Sequence, residues 1–249
     1  MPGIETLPPP VRIVNEQGAS PYVLICEHAS RFIPQRFQGL GLGEADLSRH
    51  IAWDIGAENV ARRLSGLLDA PLVLAGYSRL LIDLNRPPGS SSSIPEISET
   101  TIIPGNAGLT AEQRDERVRD YFVPFRDHVE HLLDRRMQQA RPVIIAGIHS
   151  FTPVYKGVKR PWHAGILYRR SQRFGAALVD ALGGPPALIG HNEPYQIEDD
   201  SDYTVPTHGE GRGLDAVLIE IRQDLIADDA GAAKWADRLS TALQISAVA

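Results

Sequence analysis

Val143-Ile144-Ile145-Ala146-Gly147-Ile148-His149-Ser150 is an unbroken apolar run, rich in β-branched residues, that stops at a histidine and a serine. Such a run, without polar alternation, fits a strand buried on both faces, and such strands belong to sheets covered by helices on either side. Working outward, Tyr22-Val23-Leu24-Ile25-Cys26 and Ala216-Val217-Leu218-Ile219-Glu220-Ile221 have the same character. Residues 72–75, 80–84 and 164–168 supply further short apolar runs, read as strands. Between them lie segments of helical period. One spans about 44–69, with Leu47, Ile51, Ile55, Val60, Leu64 and Leu67 near 3.6-residue spacing. A second starts at the capping-box pair Thr110 and Gln113 and runs to about Gln139, with a kink or join expected at Pro124. Residues 172–182 and a stretch from about Asp228 complete the set. Strands alternating with helices predict an α/β fold, a three-layer sandwich around a mixed, mostly parallel sheet.

At 249 residues the chain can form one domain with a large core, here read as 1–249 with residues 1–20, marked by Pro8-Pro9-Pro10, as an extended tail. The composition, 43% hydrophobic and 22% charged, excludes a disordered chain. A net charge of −6 gives no electrostatic footprint for nucleic acid or anionic lipid. No apolar run approaches the roughly 18 residues of a membrane span, and the N-terminus lacks the basic-then-apolar pattern of a signal peptide. Cys26 is the only cysteine, so internal disulfides are excluded. A cytoplasmic protein is the expectation.

Ligands bind beyond the carboxyl ends of strands in such sheets. Three predicted strands end there in reactive residues: Glu27-His28, Asn85-Arg86 and His149-Ser150, and a fourth carries Glu220. Any one of these alone reads as an ordinary hydrogen-bonded loop residue; four on one edge read as a site. Asp54, three residues after Ile51, falls close to the apolar stripe of its predicted helix, where a carboxylate needs a cation, a metal or several donors. His50, one turn earlier, is a weaker ligand candidate. Two histidines and a carboxylate with an open fourth position make a catalytic zinc set, and His28, Asp54 and His149 offer that chemistry from three separate elements. Arg79 and Arg86 bracket the 80–84 run; a guanidinium there could clamp a carboxylate or polarise a carbonyl, and a surface ion pair is the plain alternative. Glu220 alternates with the apolar Val217, Ile219 and Ile221, and suits a general base beside a metal or a pairing with Arg222.

These pieces together resemble the N-formylglutamate amidohydrolase family, related to the zinc carboxypeptidases and to the aspartoacylase and succinylglutamate desuccinylase group. The resemblance rests on His28 followed by Ile33-Pro34, on His50-Ile51-Ala52-Trp53-Asp54, on Ser78-Arg79-Leu80-Leu81-Ile82-Asp83-Leu84-Asn85-Arg86, on His149-Ser150 and on Leu218-Ile219-Glu220. It implies a zinc-carboxypeptidase-like (phosphorylase/hydrolase-like) fold and one zinc ion held by His28, Asp54 and His149. Arg79 would polarise the scissile carbonyl, Asn85 and Arg86 would hold the substrate carboxylate, and Glu220 would be the base. Ser150, His208 and Arg212 are further substrate-side candidates, the last two from a Tyr195-to-Gly213 segment particular to a subgroup. The implied substrate is a small carboxylate, an N-acyl amino acid such as N-formylglutamate. The sequence departs from the pattern of the relatives in two places. Arg31 stands three positions after His28, where the carboxypeptidases have a glutamate, so the carboxylate ligand comes from Asp54, with Glu27 as the alternative. Glu27-His28-Ala29-Ser30 replaces Pro-His-Ser-Gly. Rival readings are a cysteine hydrolase built on Cys26, a non-catalytic metal- or carboxylate-binding protein, and the same chemistry on another acyl amino acid or small peptide.

Overall fold

The computed structural model describes residues 7–185 and 188–246. In chain order its strands are β1 (Val11–Val14), β2 (Tyr22–Cys26), β3 (Leu72–Ala75), β4 (Ile97–Ser98), β5 (Thr101–Ile102), β6 (Ile144–Phe151), β7 (Val154–Tyr155), β8 (Val158–Lys159), β9 (Ala164–Leu167), β10 (Ile189–His191) and β11 (Asp215–Arg222). The helices are α1 (Glu44–Leu47), α2 (Ala57–Leu68), α3 (Ala111–Arg117), α4 (Val123–Gln138), α5 (Gln172–Leu182) and α6 (Asp229–Ser246). Seven strands form one sheet in the order β1-β3-β2-β6-β11-β9-β10, while β4-β5 and β7-β8 are separate ribbons. Strands β3, β2, β6 and β11 run parallel, β9 runs antiparallel to β11, and β1 is an antiparallel edge. The last strand of the chain, β11, therefore lies in the interior of the sheet, between β6 and β9.

Alternation along the buried strands sends side chains into two cores. Leu24, Ala146, Ile148, Val217 and Ile219 meet Val60 and Leu64 of α2, Leu178 of α5 and Leu239 of α6 on one face. Val23, Ile25, Val73, Ile145 and Leu218 meet Phe125, Val129 and Leu132 of α4 on the other. The expected mixed, mostly parallel sheet between helical layers is present. Among the described residues no helix is long and apolar enough to cross a membrane.

Three local expectations need correction. The 44–69 helix is two helices, α1 and α2, and Asp54 lies in the turn between them. Gly56, with φ of 81°, turns the chain into α2, and a Cβ there would stand 2.2 Å from the carbonyl oxygen of Ile226. Residues 80–84 form no strand but a buried run of turns. Its carbonyls are satisfied by side chains instead of a ladder: Asn106 Nδ2 donates to Leu80 O (2.9 Å) and Arg117 Nη1 to Leu81 O (2.9 Å). Residues 11–14 of the expected tail pair with β3 as β1. The Tyr195-to-Gly213 segment, for its part, contains a π-helical turn at Thr204–Gly209. The capping box at Thr110 is formed, and the chain passes from α3 to α4 through a π-helical segment, Val118–Phe122, with Pro124 in the first turn of α4.

Candidate active site

The carboxyl ends of β2 and β6 bring His28 and His149 together. Asp54 joins them because its backbone N–H is tied to His28 O (3.0 Å). His28 Nδ1 lies 3.2 Å from His149 Nδ1 and 3.3 Å from Asp54 Oδ2, and His149 Nδ1 lies 2.9 Å from the same oxygen. All three residues are buried. The far nitrogens face carboxylates: His28 Nε2 is 2.8 Å from Asp83 Oδ1. His149 Nε2 is 3.1 Å from Glu27 Oε2, at ion-pair distance but outside hydrogen-bond alignment. A neutral imidazole has one N–H, and those carboxylates draw it to Nε2 on both rings. Two Nδ1 lone pairs and a carboxylate oxygen then converge, an arrangement that calls for a cation at their centre. Tetrahedral zinc with bonds of about 2.0–2.1 Å has ligand-to-ligand edges of about 3.3 Å, close to the observed triangle. The donor set therefore fits a zinc-type ion.

Arg79 braces the cluster. Its Nε and Nη2 donate to Asp83 Oδ2 (3.0 and 2.7 Å) and its Nη1 to Asp54 Oδ1 (3.2 Å). The backbone N–H of Ser150 donates to Asp54 Oδ2 (3.2 Å), while its hydroxyl is committed to Ile55 O (2.9 Å). Burial disfavours charge on every member, yet neighbouring charges win. Asp54 and Glu27 are held below the usual carboxylate range by the imidazoles, and Asp83 by Arg79. The imidazole of His149 is held well above its ordinary value by Glu27 and Asp54, and that of His28 is raised by Asp83 and Asp54.

Glu220 is the register partner of His149 on the adjacent parallel strand, so both side chains leave the same face of the sheet. Its Oε2 is buried and accepts no hydrogen bond among the described residues, and burial pushes its carboxyl up to about 7. Gly165, beside Glu220 on β9, has no room for a Cβ: it would lie 1.5 Å from Glu193 O, so the chain leading to Tyr195 packs directly against the sheet. A cavity of about 590 Å³ opens here, lined among others by His28, Asp54, Arg79, Asn85, Arg86, Ser150, Tyr155, Tyr195, Asp202 and Glu220.

The remaining candidates separate. Arg86 lines the cavity, with Nη1 3.8 Å from Asp202 Oδ1. Asn85 also lines it, but its Oδ1 accepts the N–H groups of Tyr203 (3.1 Å) and Thr204 (2.9 Å). His50 reaches the cavity wall and faces Glu99 at 3.6 Å, apart from the triangle. His208 and Arg212 are not among the lining residues. The π-helical turn buries His208 against Tyr203, where burial lowers the imidazole to about 4, and Arg212 pairs with Asp134 of α4. Cys26 is fully buried, and burial raises its thiol well above the ordinary range, which removes it as a nucleophile. Asp83 and Thr204 were not singled out from sequence; only the Asp-Leu-Asn-Arg string pointed toward the first, and nothing pointed to the second.

A polar cluster with this donor chemistry, opening on a cavity at the carboxyl edge of a mixed sheet, places the protein among α/β proteins with a candidate metal site at the strand ends. The chain belongs to the N-formylglutamate amidohydrolase family, whose profile matches residues 20–227, and is thereby an amidohydrolase. The structure is similar to that of the gene product Atu2144 from Agrobacterium tumefaciens, at 39% identity and a TM-score of 0.93, covering 97% of this chain and 96% of that one. It shares its fold with N-formylglutamate amidohydrolase from Ralstonia eutropha JMP134, at 18% identity and a TM-score of 0.68, covering 96% and 97% of the two chains. Comparison with functionally curated proteins gives no match.

Proposed function

We propose that the protein is a zinc-dependent amidohydrolase that releases the acyl group of an N-acyl amino acid, with N-formylglutamate as the leading substrate. The observation that carries this reading is the convergence of His28 Nδ1, His149 Nδ1 and Asp54 Oδ2 with a carboxylate behind each imidazole. Asp54, rather than Glu27, completes the set, because Glu27 is on the far side of the His149 ring. A zinc-type ion held by these three supplies Lewis acidity toward a carbonyl oxygen and lowers the pKa of water to about 7.

The chain's own residues do the rest. Glu220, with an unpartnered oxygen and a carboxyl near 7, accepts a proton from the attacking water and returns it to the departing nitrogen. Arg79 has N–H groups beyond those used on Asp83 and Asp54, and these stabilise charge developing on the amide oxygen. Arg86 anchors the substrate carboxylate from the cavity wall.

The test is formate release from N-formyl-L-glutamate by zinc-loaded protein, after chelation, and after zinc return. Activity that is lost and recovered supports both metal and substrate; a protein that takes up no zinc refutes the site. A second reading, a longer acyl group or a small peptide, is favoured by the cavity volume of about 590 Å³. Pockets of about 300–1,000 Å³ take drug-sized ligands, and N-formylglutamate is smaller. A panel of N-acetyl, N-succinyl and dipeptide substrates compared by kcat/KM distinguishes the two.

A further inference from the structure

Asn85, read from sequence as a substrate ligand, has little hydrogen-bonding capacity left for one. It is 2% exposed. Its side-chain oxygen accepts two backbone N–H groups, from Tyr203 and Thr204, and its amide nitrogen is 3.4 Å from Asp202 Oδ1. Its own backbone N–H donates to Asp83 Oδ1 (3.0 Å), the oxygen that faces His28 Nε2. Thr204 carries the path onward: its hydroxyl donates to Glu27 Oε1 through a short contact, and the other oxygen of Glu27 faces His149 Nε2. His28, Asp83, Asn85, Thr204, Glu27 and His149 thus close a ring around the convergent Nδ1 atoms. We infer that Asn85 and Thr204 are positioning residues that fix the carboxylates behind the two imidazoles, Asn85 acting through the backbone N–H groups of Tyr203 and Thr204 that its side-chain oxygen holds; the inference rests on the metal site proposed above.

The physical reason lies in what a backing carboxylate must do. It sets the tautomer and the ring orientation, and it raises the basicity of the nitrogen that faces the metal. It does so only if it is itself held. Glu27 is fully buried, and the Thr204 hydroxyl is its one side-chain hydrogen-bond donor among the described residues. Asp83 is held by Arg79 on one oxygen and by the Asn85 backbone on the other. Because Ser201 and Asp202 line the cavity just ahead of Thr204, the ring also ties one cavity wall to the imidazoles.

The test uses full-length protein, stripped of metal and titrated with zinc against a chromogenic chelator, with formate release from N-formyl-L-glutamate measured in parallel. Thr204→Val is expected to weaken zinc binding about 10- to 100-fold and to lower kcat, with KM held within about twofold, and Thr204→Ser to recover both. Asn85→Ala is expected to follow the same pattern, zinc affinity and kcat falling together at steady KM. Unchanged zinc affinity in Thr204→Val overturns the inference, as does an Asn85→Ala protein whose KM rises while its zinc affinity stays put. Where Asn85→Ala does not fold, as judged by circular dichroism, the Thr204 pair decides alone. If the wild type binds zinc but spares this substrate, the zinc titrations still decide. A wild type that binds no zinc refutes the metal site and the ring with it.

Discussion

Glu220 and Arg86 make different demands on the same kinetic experiment. Glu220→Gln keeps the shape of the side chain and removes the proton acceptor. It is expected to cut kcat by about 100- to 10,000-fold while zinc content, read by atomic absorption, stays at the wild-type level. Arg86→Ala is expected to raise KM for carboxylate substrates with a smaller change in kcat; an unchanged KM removes Arg86 as the anchor. His28, His149 and Glu220 were readable from sequence because each ends, or nearly ends, an unmistakable apolar run. Asp54 was readable as a costly carboxylate near an apolar stripe, though its setting is a turn and not a helix face. Thr204 was not, because a hydroxyl in a polar loop chooses its partner only when the loop has folded. The positions of His208 and Arg212, away from the cavity wall, were not legible for the same reason: the π-helical turn sends one into the protein and the other toward α4.

The element hardest to recognise was the 80–84 segment. Leu80, Leu81 and Ile82 look like a strand, and nothing local says that buried side chains elsewhere will satisfy their carbonyls. Arg117 is the agent: it is 3% exposed, and its guanidinium donates to Leu81 O, to Asn106 Oδ1 (2.7 Å) and to Gly105 O (3.1 Å). Burial lowers it to about 10, so it remains a cation at neutral pH. Arg117→Met leaves these acceptors buried and unpaired, at a cost on the order of 3 kcal/mol by urea denaturation. Since Arg79 and Arg86 flank this segment, kcat/KM is expected to fall as well. The capping box at Thr110, fully legible in the sequence, gives a milder case: Thr110→Ala is expected to cost about 1 kcal/mol and leave kinetics untouched.

For the whole molecule, metal and acidity should act on stability in opposite senses. Without metal, burial works against charge at every group of the cluster, but Glu27, Asp54 and Asp83 raise the imidazoles of His149 and His28 above 6.5. A raised imidazole contributes stability that is fully present below 6.5 and is lost as pH rises through the folded value. Glu220 adds in the same direction, since its raised carboxyl favours the folded state less as pH climbs from 4.5 to about 7. Metal-free protein is therefore expected to melt lower at pH 8.5 than at pH 6. Zinc requires deprotonated imidazoles, so its stabilisation should grow over the same interval. At a hundredfold excess over Kd it amounts to about 2.7 kcal/mol, a Tm increase of roughly 5–10 °C for a chain of this size. Calorimetry of both forms at the two pH values checks the pair; a metal-free Tm that rises with pH contradicts it. The layered α/β architecture behind all of this was legible from alternating strand and helix runs, whereas the strand order was not, because pairing between distant segments leaves no mark on local periodicity.

That order bears on how the protein is made. Strand β11 is the last of the sheet to leave the ribosome, yet it belongs between β6 and β9. Until residue 222 has emerged, both of those strands present bare hydrogen-bonding edges that no earlier part of the chain covers. Exposed edges of this kind invite pairing with other chains. Between the emergence of β9 (Ala164–Leu167) and that of β11 (Asp215–Arg222) the nascent protein thus carries a sheet with an unfilled slot, and the strand that fills the slot is the one that delivers Glu220.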